Sequence, residues 1–201
     1  MQIVENIHKE LMVCDLPDDI GLHTGTSGIA LFLSYYDRII TTKKEVSQRV
    51  WDILKHNINQ INAGYNRHSI CNGISGFGWL CEYLRKLEML NKEDIAFLDY
   101  LDPFLYKQMK RDIQVGNYDF LYGALGVGAY FLSRFHKGEV SEYLEELFSE
   151  LEKTGESCEN GAIKWISVLI PETGEKGYNI SLSHGMSSIA VFFYSTLPIE
   201  F

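Results

Sequence analysis

Ser181-Leu182-Ser183-His184-Gly185-Met186-Ser187-Ser188-Ile189-Ala190-Val191-Phe192-Phe193 reads as the fourth copy of one pattern. The earlier copies are Gly21-Leu22-His23-Thr24-Gly25-Thr26-Ser27-Gly28-Ile29-Ala30-Leu31-Phe32-Leu33, Ser69-Ile70-Cys71-Asn72-Gly73-Ile74-Ser75-Gly76-Phe77-Gly78-Trp79-Leu80 and Asp119-Phe120-Leu121-Tyr122-Gly123-Ala124-Leu125-Gly126-Val127-Gly128-Ala129-Tyr130-Phe131. In each, a Gly, two further residues and a Gly or Ser stand ahead of an apolar helix-forming run. The period decides the fold before any single element does, because a missed repeat misassigns every element built on it. The marker glycines Gly25, Gly73, Gly123 and Gly185 are 48, 50 and 62 residues apart, which fits one helical hairpin per repeat and a longer connection before the last.

Two kinds of helix alternate along this period. The runs after the glycines, such as Ile29-Ala30-Leu31-Phe32-Leu33, are apolar nearly all round, the signature of an inner helix buried on every side. Between them lie amphipathic outer helices. Val140, Tyr143, Leu144, Leu147, Phe148 and Leu151 fall on one helical face with glutamates and serines opposite, and Val46, Val50, Ile53, Leu54, Ile58 and Ile61 make the same stripe. Asn91-Lys92-Glu93-Asp94 reads as an N-cap opening a third outer helix, in which Asp102-Pro103 marks either a kink or a new start. From Gly155 to Tyr178 the pattern changes: Ile163-Lys164-Trp165-Ile166-Ser167-Val168-Leu169-Ile170, rich in β-branched residues and ended by Pro171, predicts a short strand or hairpin, a β insert near 160–180. No linker or low-complexity segment interrupts the chain, which is read as a single domain over 1–201.

The totals agree with a folded domain. At 201 residues and 46% hydrophobic content a sizeable core can be buried. A formal charge of −9 with scattered basic residues argues against nucleic acid as a partner. Cys14, Cys71, Cys81 and Cys158 form no Cys-x-x-Cys pair, so they read as free thiols of a reducing, cytoplasmic compartment rather than as a disulfide framework or a zinc knuckle. The N-terminal stretch lacks a signal-peptide core, and Gly177 to Ile199, though uncharged, carries too many polar residues to make a good membrane span.

Alternating inner and outer helices gather the Gly-bearing N-termini at one pole, with their unpaired N–H groups and dipoles. The positions that differ between copies are informative there. Directly before the marker Gly stand Thr24, Asn72, Tyr122 and His184, and four before it stand Gly21, Ser69, Asp119 and Ser181. One scaffold slot thus carries different polar groups, which is how a site is grafted onto a repeat. His184, beside a helix N-terminus, is the candidate proton acceptor or relay. Asp119, read in the first turn of its helix, is either an N-cap or a carboxylate that orients His184. Thr24, Asn72 and Tyr122 are read as substrate-binding groups, with His23, His68 and Arg67 as polar rim. No Walker loop, Gly-x-Ser-x-Gly or His-Glu-x-x-His occurs, and the glycines after Gly123 have the wrong spacing for a dinucleotide fingerprint.

At Gly21-Leu-His-Thr-Gly-Thr-Ser-Gly-Ile-Ala, Asn72-Gly-Ile-Ser-Gly-Phe-Gly-Trp-Leu, Tyr118-Asp119-Phe-Leu-Tyr-Gly-Ala-Leu-Gly-Val-Gly and Leu182-Ser-His184-Gly185-Met the sequence resembles the lanthionine synthetase C family, the cyclases of lantibiotic biosynthesis. The resemblance implies an all-α fold, an α/α toroid of seven helical hairpins. It places His184 on the family's catalytic histidine and Asp119 on its catalytic aspartate. It further implies addition of a peptide cysteine thiol to a dehydroamino acid, with Zn2+ holding the thiolate, a precursor peptide as substrate and a dehydratase as a partner. The family's zinc ligands, a cysteine and a Cys-His pair, follow the His-Gly motif, whereas this chain has no cysteine after Cys158. The expectation is therefore a zinc-dependent cyclase represented by about four of seven repeats, inactive as this chain alone and either truncated or completed by another chain, with an exposed apolar face on Ile189 to Leu197 that a second copy could cover. The alternative is a non-catalytic peptide-binding or scaffold member of the same fold. An α/α-barrel glycosidase or terpenoid cyclase would need paired carboxylates or an Asp-rich motif that Asp119 alone does not supply.

Overall fold

The computed structural model describes residues 2–170 and 173–195. Among them are eight helices and four short strands: α1 Gln2–Val13, α2 Thr26–Ile39, α3 Gln48–Asn62, α4 Ile74–Lys86, α5 Leu98–Val115, α6 Ala124–Ser133, α7 Gly138–Thr154, β1 Glu156–Ser157, β2 Ile163–Lys164, β3 Ser167–Ile170, β4 Glu175–Gly177 and α8 Met186–Tyr194. The protein is all-α apart from the insert, built of repeated helical hairpins as the sequence period requires. None of the described helices is long and apolar enough to cross a membrane. The chain forms two compact units, 1–101 and 102–201, with the division inside α5.

In the first unit α2 packs on α1, α3 and α4. The amphipathic stripe of α3 buries Val50, Ile53 and Leu54 as expected. It also buries Asn57, whose Oδ1 accepts a 2.5 Å bond from Thr26 Oγ1 and whose Nδ2 donates to Ser27 Oγ at 3.4 Å. A polar residue in the stripe thus ties the outer helix to the start of the inner one, and burial is tolerated because the amide is bonded. The entry to α5 has a reciprocal cap: Asp94 N–H donates to Asn91 Oδ1 and Asn91 N–H to Asp94 Oδ2. Tight turns with bonds from Leu98 to Ile95 and from Asp99 to Ala96 follow, so the α-helix itself begins only at Leu98.

Helix α4 ends with Glu88 at φ 59°, while Glu88 N–H donates to Arg85 O and Met89 N–H to Leu84 O. This is the left-handed C-terminal turn that glycine ordinarily fills. Glu88→Gly is expected to stabilise the protein by about 0.5–1 kcal/mol in urea unfolding, since relief of the left-handed strain exceeds the added freedom of the unfolded chain.

In the second unit α6 packs on α7 and α8. Helix α5 runs unbroken through Pro103, so Asp102-Pro103 neither divides the helix nor caps a new one. Asp102 instead reaches Tyr130 and Arg134 at the end of α6. Tyr130 OH donates to Oδ1 at 2.5 Å, and Arg134 Nε and a terminal guanidinium nitrogen donate to Oδ2 at 3.1 and 2.8 Å. Helix α7 buries Val140, Leu144, Leu147 and Leu151 in the predicted stripe. The insert, expected as a short strand or hairpin, is two antiparallel pairs: Glu156 faces Lys164 and Ser157 faces Ile163, while Ser167 faces Gly177 and Val168 faces Lys176. Trp165 divides the predicted run, because its indole N–H turns to donate to Leu151 O at 2.7 Å. Pro171 lies outside the described residues.

Burial of the inner helices is uneven. Helix α6 is buried along almost its whole length, as expected, but α2 leaves Tyr35 and Ile39 exposed. Helix α8 buries Ile189 and Phe192 while leaving Ala190, Val191 and Tyr194 to solvent, so among the described residues of the expected span an exposed apolar strip is present beside two buried side chains. Its predicted end, Leu197, lies outside the described residues.

One construction recurs at all four marker glycines. The first N–H of each inner helix donates to a carbonyl seven residues back: Thr26 to Asp19 at 3.0 Å, Ile74 to Arg67 at 2.9 Å, Ala124 to Asn117 at 3.0 Å and Met186 to Asn179 at 2.7 Å. This satisfies a donor that the helix itself cannot. The marker glycines have φ between −119° and −146°, open to any residue. They are required because that same carbonyl closes on them. A Cβ would lie 2.5 Å from it at Gly25, 2.4 Å at Gly73, 2.6 Å at Gly123 and 2.1 Å at Gly185.

Candidate functional site

Three of the four loops that end in a marker glycine have a second recurring bond, and it joins the two variable slots. The side chain four before the glycine accepts the N–H of the residue directly before it: Ser69 Oγ from Asn72 at 3.2 Å, Asp119 Oδ1 from Tyr122 at 2.8 Å and Ser181 Oγ from His184 at 3.0 Å. Gly21 has no side chain to do this, and Thr24 N–H donates across to Cys71 O at 3.2 Å instead. Asp119 therefore lies in the loop ahead of α6 rather than in its first turn, and it fills a position where serine serves twice.

A serine has one oxygen and the aspartate has two. Asp119 Oδ1 takes the loop N–H groups of Leu121 and Tyr122, at 2.7 and 2.8 Å. That leaves Oδ2 for His184, whose Nδ1–H donates to it at 2.6 Å. The N-cap of α6 is Gly123 without a side-chain bond, so Asp119 is not the helix cap expected; one of its oxygens ties the loop and the other meets His184. An ionised carboxylate accepts only, so the bond fixes the proton on Nδ1 and leaves Nε2 as the basic nitrogen of the neutral ring. Nε2 has no partner among the described residues. The His184 side chain is 46% exposed and that of Asp119 is 19% exposed, so the histidine faces solvent while its carboxylate is sheltered. Tyr122 completes the group: its ring lies parallel to the imidazole, 2° between planes and 6.3 Å between centroids.

The loops are held by residues that the sequence reading passed over. Asn117 Oδ1 accepts Asp119 N–H at 3.4 Å, and Asn179 Oδ1 accepts Ser181 N–H at 2.9 Å. Ser187 Oγ donates to Ile180 O at 2.6 Å. The signal was present: Asp19, Arg67, Asn117 and Asn179 all stand six residues before a marker glycine, and three of the four are residues that bond their own backbone in turns.

Of the five predicted site residues, His184, Asp119 and Tyr122 meet in the second unit. Thr24 and Asn72 belong to the first, each in its own loop. Leu22 N–H to Ile70 O at 3.0 Å and His23 N–H to Cys71 O at 2.9 Å staple those two loops together. Thr24 Oγ1 donates to Asp19 Oδ2 at 3.3 Å, and Asn72 Oδ1 accepts from Ser69 Oγ at 2.7 Å. Arg67 is engaged in an ion pair with Asp19, which makes it a loop tie.

The zinc that the resemblance implies needs a set of donors around one point. Among the described residues no group of three or more His, Cys, Asp and Glu side chains is placed to hold a metal ion. The four cysteines are free, Cys71 and Cys81 are buried, and the His184–Asp119 pair supplies two side chains already bonded to each other. These residues do not fit a zinc site.

Comparison with curated proteins and with solved structures gives no match. The loops, the slots and the His184–Asp119 pair all fall within residues 17–198, a span that crosses both units and matches the family model described as "Lanthionine synthetase C-like protein", and the chain belongs to that family.

Proposed function

We propose that the chain works as a lanthionine-forming peptide cyclase in which His184 carries the proton and Asp119 positions it. The observation that supports this most is the 2.6 Å bond from Nδ1–H to Oδ2, which leaves Nε2 as the working nitrogen on an exposed loop. In this reading the substrate is a precursor peptide with a cysteine and a dehydroalanine or dehydrobutyrine, and a dehydratase makes the latter. Nε2 takes the thiol proton, and the Asp119 carboxylate offsets the charge gained by the ring. The thiolate adds to the β-carbon of the dehydroamino acid, so that a C–S bond forms and the π pair moves onto the carbonyl as an enolate. Nε2–H then gives its proton to the α-carbon. One S–H and one C=C are lost, one C–S and one C–H are gained, and no oxidant or reductant is consumed.

The test uses a synthetic peptide with one dehydroalanine and one cysteine, following loss of alkylatable thiol above the uncatalysed rate. His184→Gln is expected to slow that loss by roughly 100-fold or more while leaving thermal unfolding unchanged, since the side chain is half exposed. Peptide binding without thiol loss in the unsubstituted protein would contradict the reading and leave a peptide-binding role.

A further inference from the structure

A single hydrogen bond does not fix an imidazole. The ring can still pivot about the line from Nδ1 to Asp119 Oδ2, and Nε2 lies off that line, so any pivot swings the transferred proton through space. Two features of the structure limit the swing. His184 N–H is held by Ser181 Oγ at 3.0 Å, which fixes the backbone from which the ring projects. The Tyr122 ring lies parallel to the imidazole at 6.3 Å, within the range of offset aromatic pairs, and stands beside it. Tyr122 is itself tied to the carboxylate, through its N–H to Asp119 Oδ1 at 2.8 Å. One aspartate thus anchors both the ring that moves the proton and the residue whose ring stacks beside it. The same slot holds Thr24 and Asn72 in the first unit, neither of which has a ring to stack.

We infer that Tyr122 is a positioning residue that fixes the plane of His184, and through it the face of the enolate that receives the proton. The inference rests on the proton-carrier reading above. The enolate α-carbon is planar, and delivery of the Nε2 proton to one face or the other gives opposite configurations at that carbon. The electron pair of the enolate forms the new C–H bond as the N–H bond breaks, so the ring's orientation is recorded in the product. Tyr122 meets Asp119 through its backbone N–H, so replacing its side chain leaves that bond in place.

The experiment compares the unsubstituted protein, Tyr122→Phe and Tyr122→Ala on the dehydroalanine–cysteine peptide. The thioether amino acid is released by hydrolysis, its diastereomers are separated on a chiral phase, and the protein-free background is subtracted. The unsubstituted protein and Tyr122→Phe are expected to give the same strong excess of one diastereomer. In Tyr122→Ala the ratio falls by about threefold or more and kcat drops, with little change in KM, because orientation rather than affinity is lost. An unchanged ratio in Tyr122→Ala, or an equal loss in Tyr122→Phe, would overturn the inference. A second arm needs no turnover. The carbon-bound ring protons of His184 should show a ring-current shift that Tyr122→Phe keeps and Tyr122→Ala loses, and no difference among the three proteins would overturn the stack. A protein that makes no thioether yet shows this shift would refute the proton-carrier reading while leaving the positioning of His184 by Tyr122 intact.

Discussion

Replacing Asp102 by alanine is expected to cost about 3–5 kcal/mol of stability, a large share of what keeps a typical domain folded. Arg134 is 1% exposed, and its guanidinium gives two hydrogen bonds to Asp102 Oδ2 while Tyr130 gives one to Oδ1. Without the carboxylate a buried guanidinium and a buried phenol each lose a hydrogen-bond acceptor, and the guanidinium a counter-charge, while both stay desolvated. Urea unfolding followed by circular dichroism checks it. The double variant Asp102→Ala with Arg134→Met should recover part of the loss, since it removes the buried guanidinium along with the acceptor it has lost. A cost under about 1 kcal/mol for the single variant would show that this pair contributes little to stability.

Replacing Asp119 by serine is expected to leave the fold intact and to lower thioether formation by roughly 100-fold or more. Serine already fills this slot at Ser69 and Ser181, and in both places its oxygen accepts the N–H three residues on. Asp119→Ser should therefore keep the bond to Tyr122 N–H, and with it the loop that starts α6. What it removes is Oδ2, the atom that holds His184 Nδ1–H. The ring then chooses its tautomer freely and the imidazolium formed during proton transfer loses its counter-charge. An unfolding free energy within about 0.5 kcal/mol of the unsubstituted protein, beside the lost rate, separates this from a folding defect. Equal loss of rate and of stability would show that the carboxylate serves only the loop.

Much of this was legible in the sequence because repeats turn single residues into comparisons. Gly25, Gly73, Gly123 and Gly185 marked the helix starts, and alignment on them put Asp119 and His184 in the slots where the copies differ. What could not be read was where each side chain spends its polar atoms. Asp119 reads in the sequence as an N-cap of α6 or as a group facing His184, yet one of its oxygens ties the loop ahead of α6 and the other meets the ring, a division that residue type does not reveal. Asn57 interrupts an apolar stripe, and only the meeting of α3 with Thr26 and Ser27 shows why it is buried. Asp102 stood beside a proline, and the local rule for X-Pro outweighed the long-range partner, Arg134, that explains it. The insert broke at Trp165 because one indole N–H found a carbonyl on α7, a contact that strand propensity does not encode. The exposed strip of α8 lies beside Ile189 and Phe192, which turn into the core of the second unit, a division that an all-apolar run does not foretell.

In the proposed mechanism Asp119 holds the Nδ1 proton of His184 so that Nε2 is the atom that works. Nitrogen-15 NMR of the histidine-labelled protein, taken where the ring is neutral, tests this directly. The Nδ1–H tautomer is expected for His184, with a hydrogen-bonded Nδ1 proton that disappears in Asp119→Ser. A predominant Nε2–H tautomer, or the same spectrum in both proteins, would contradict it.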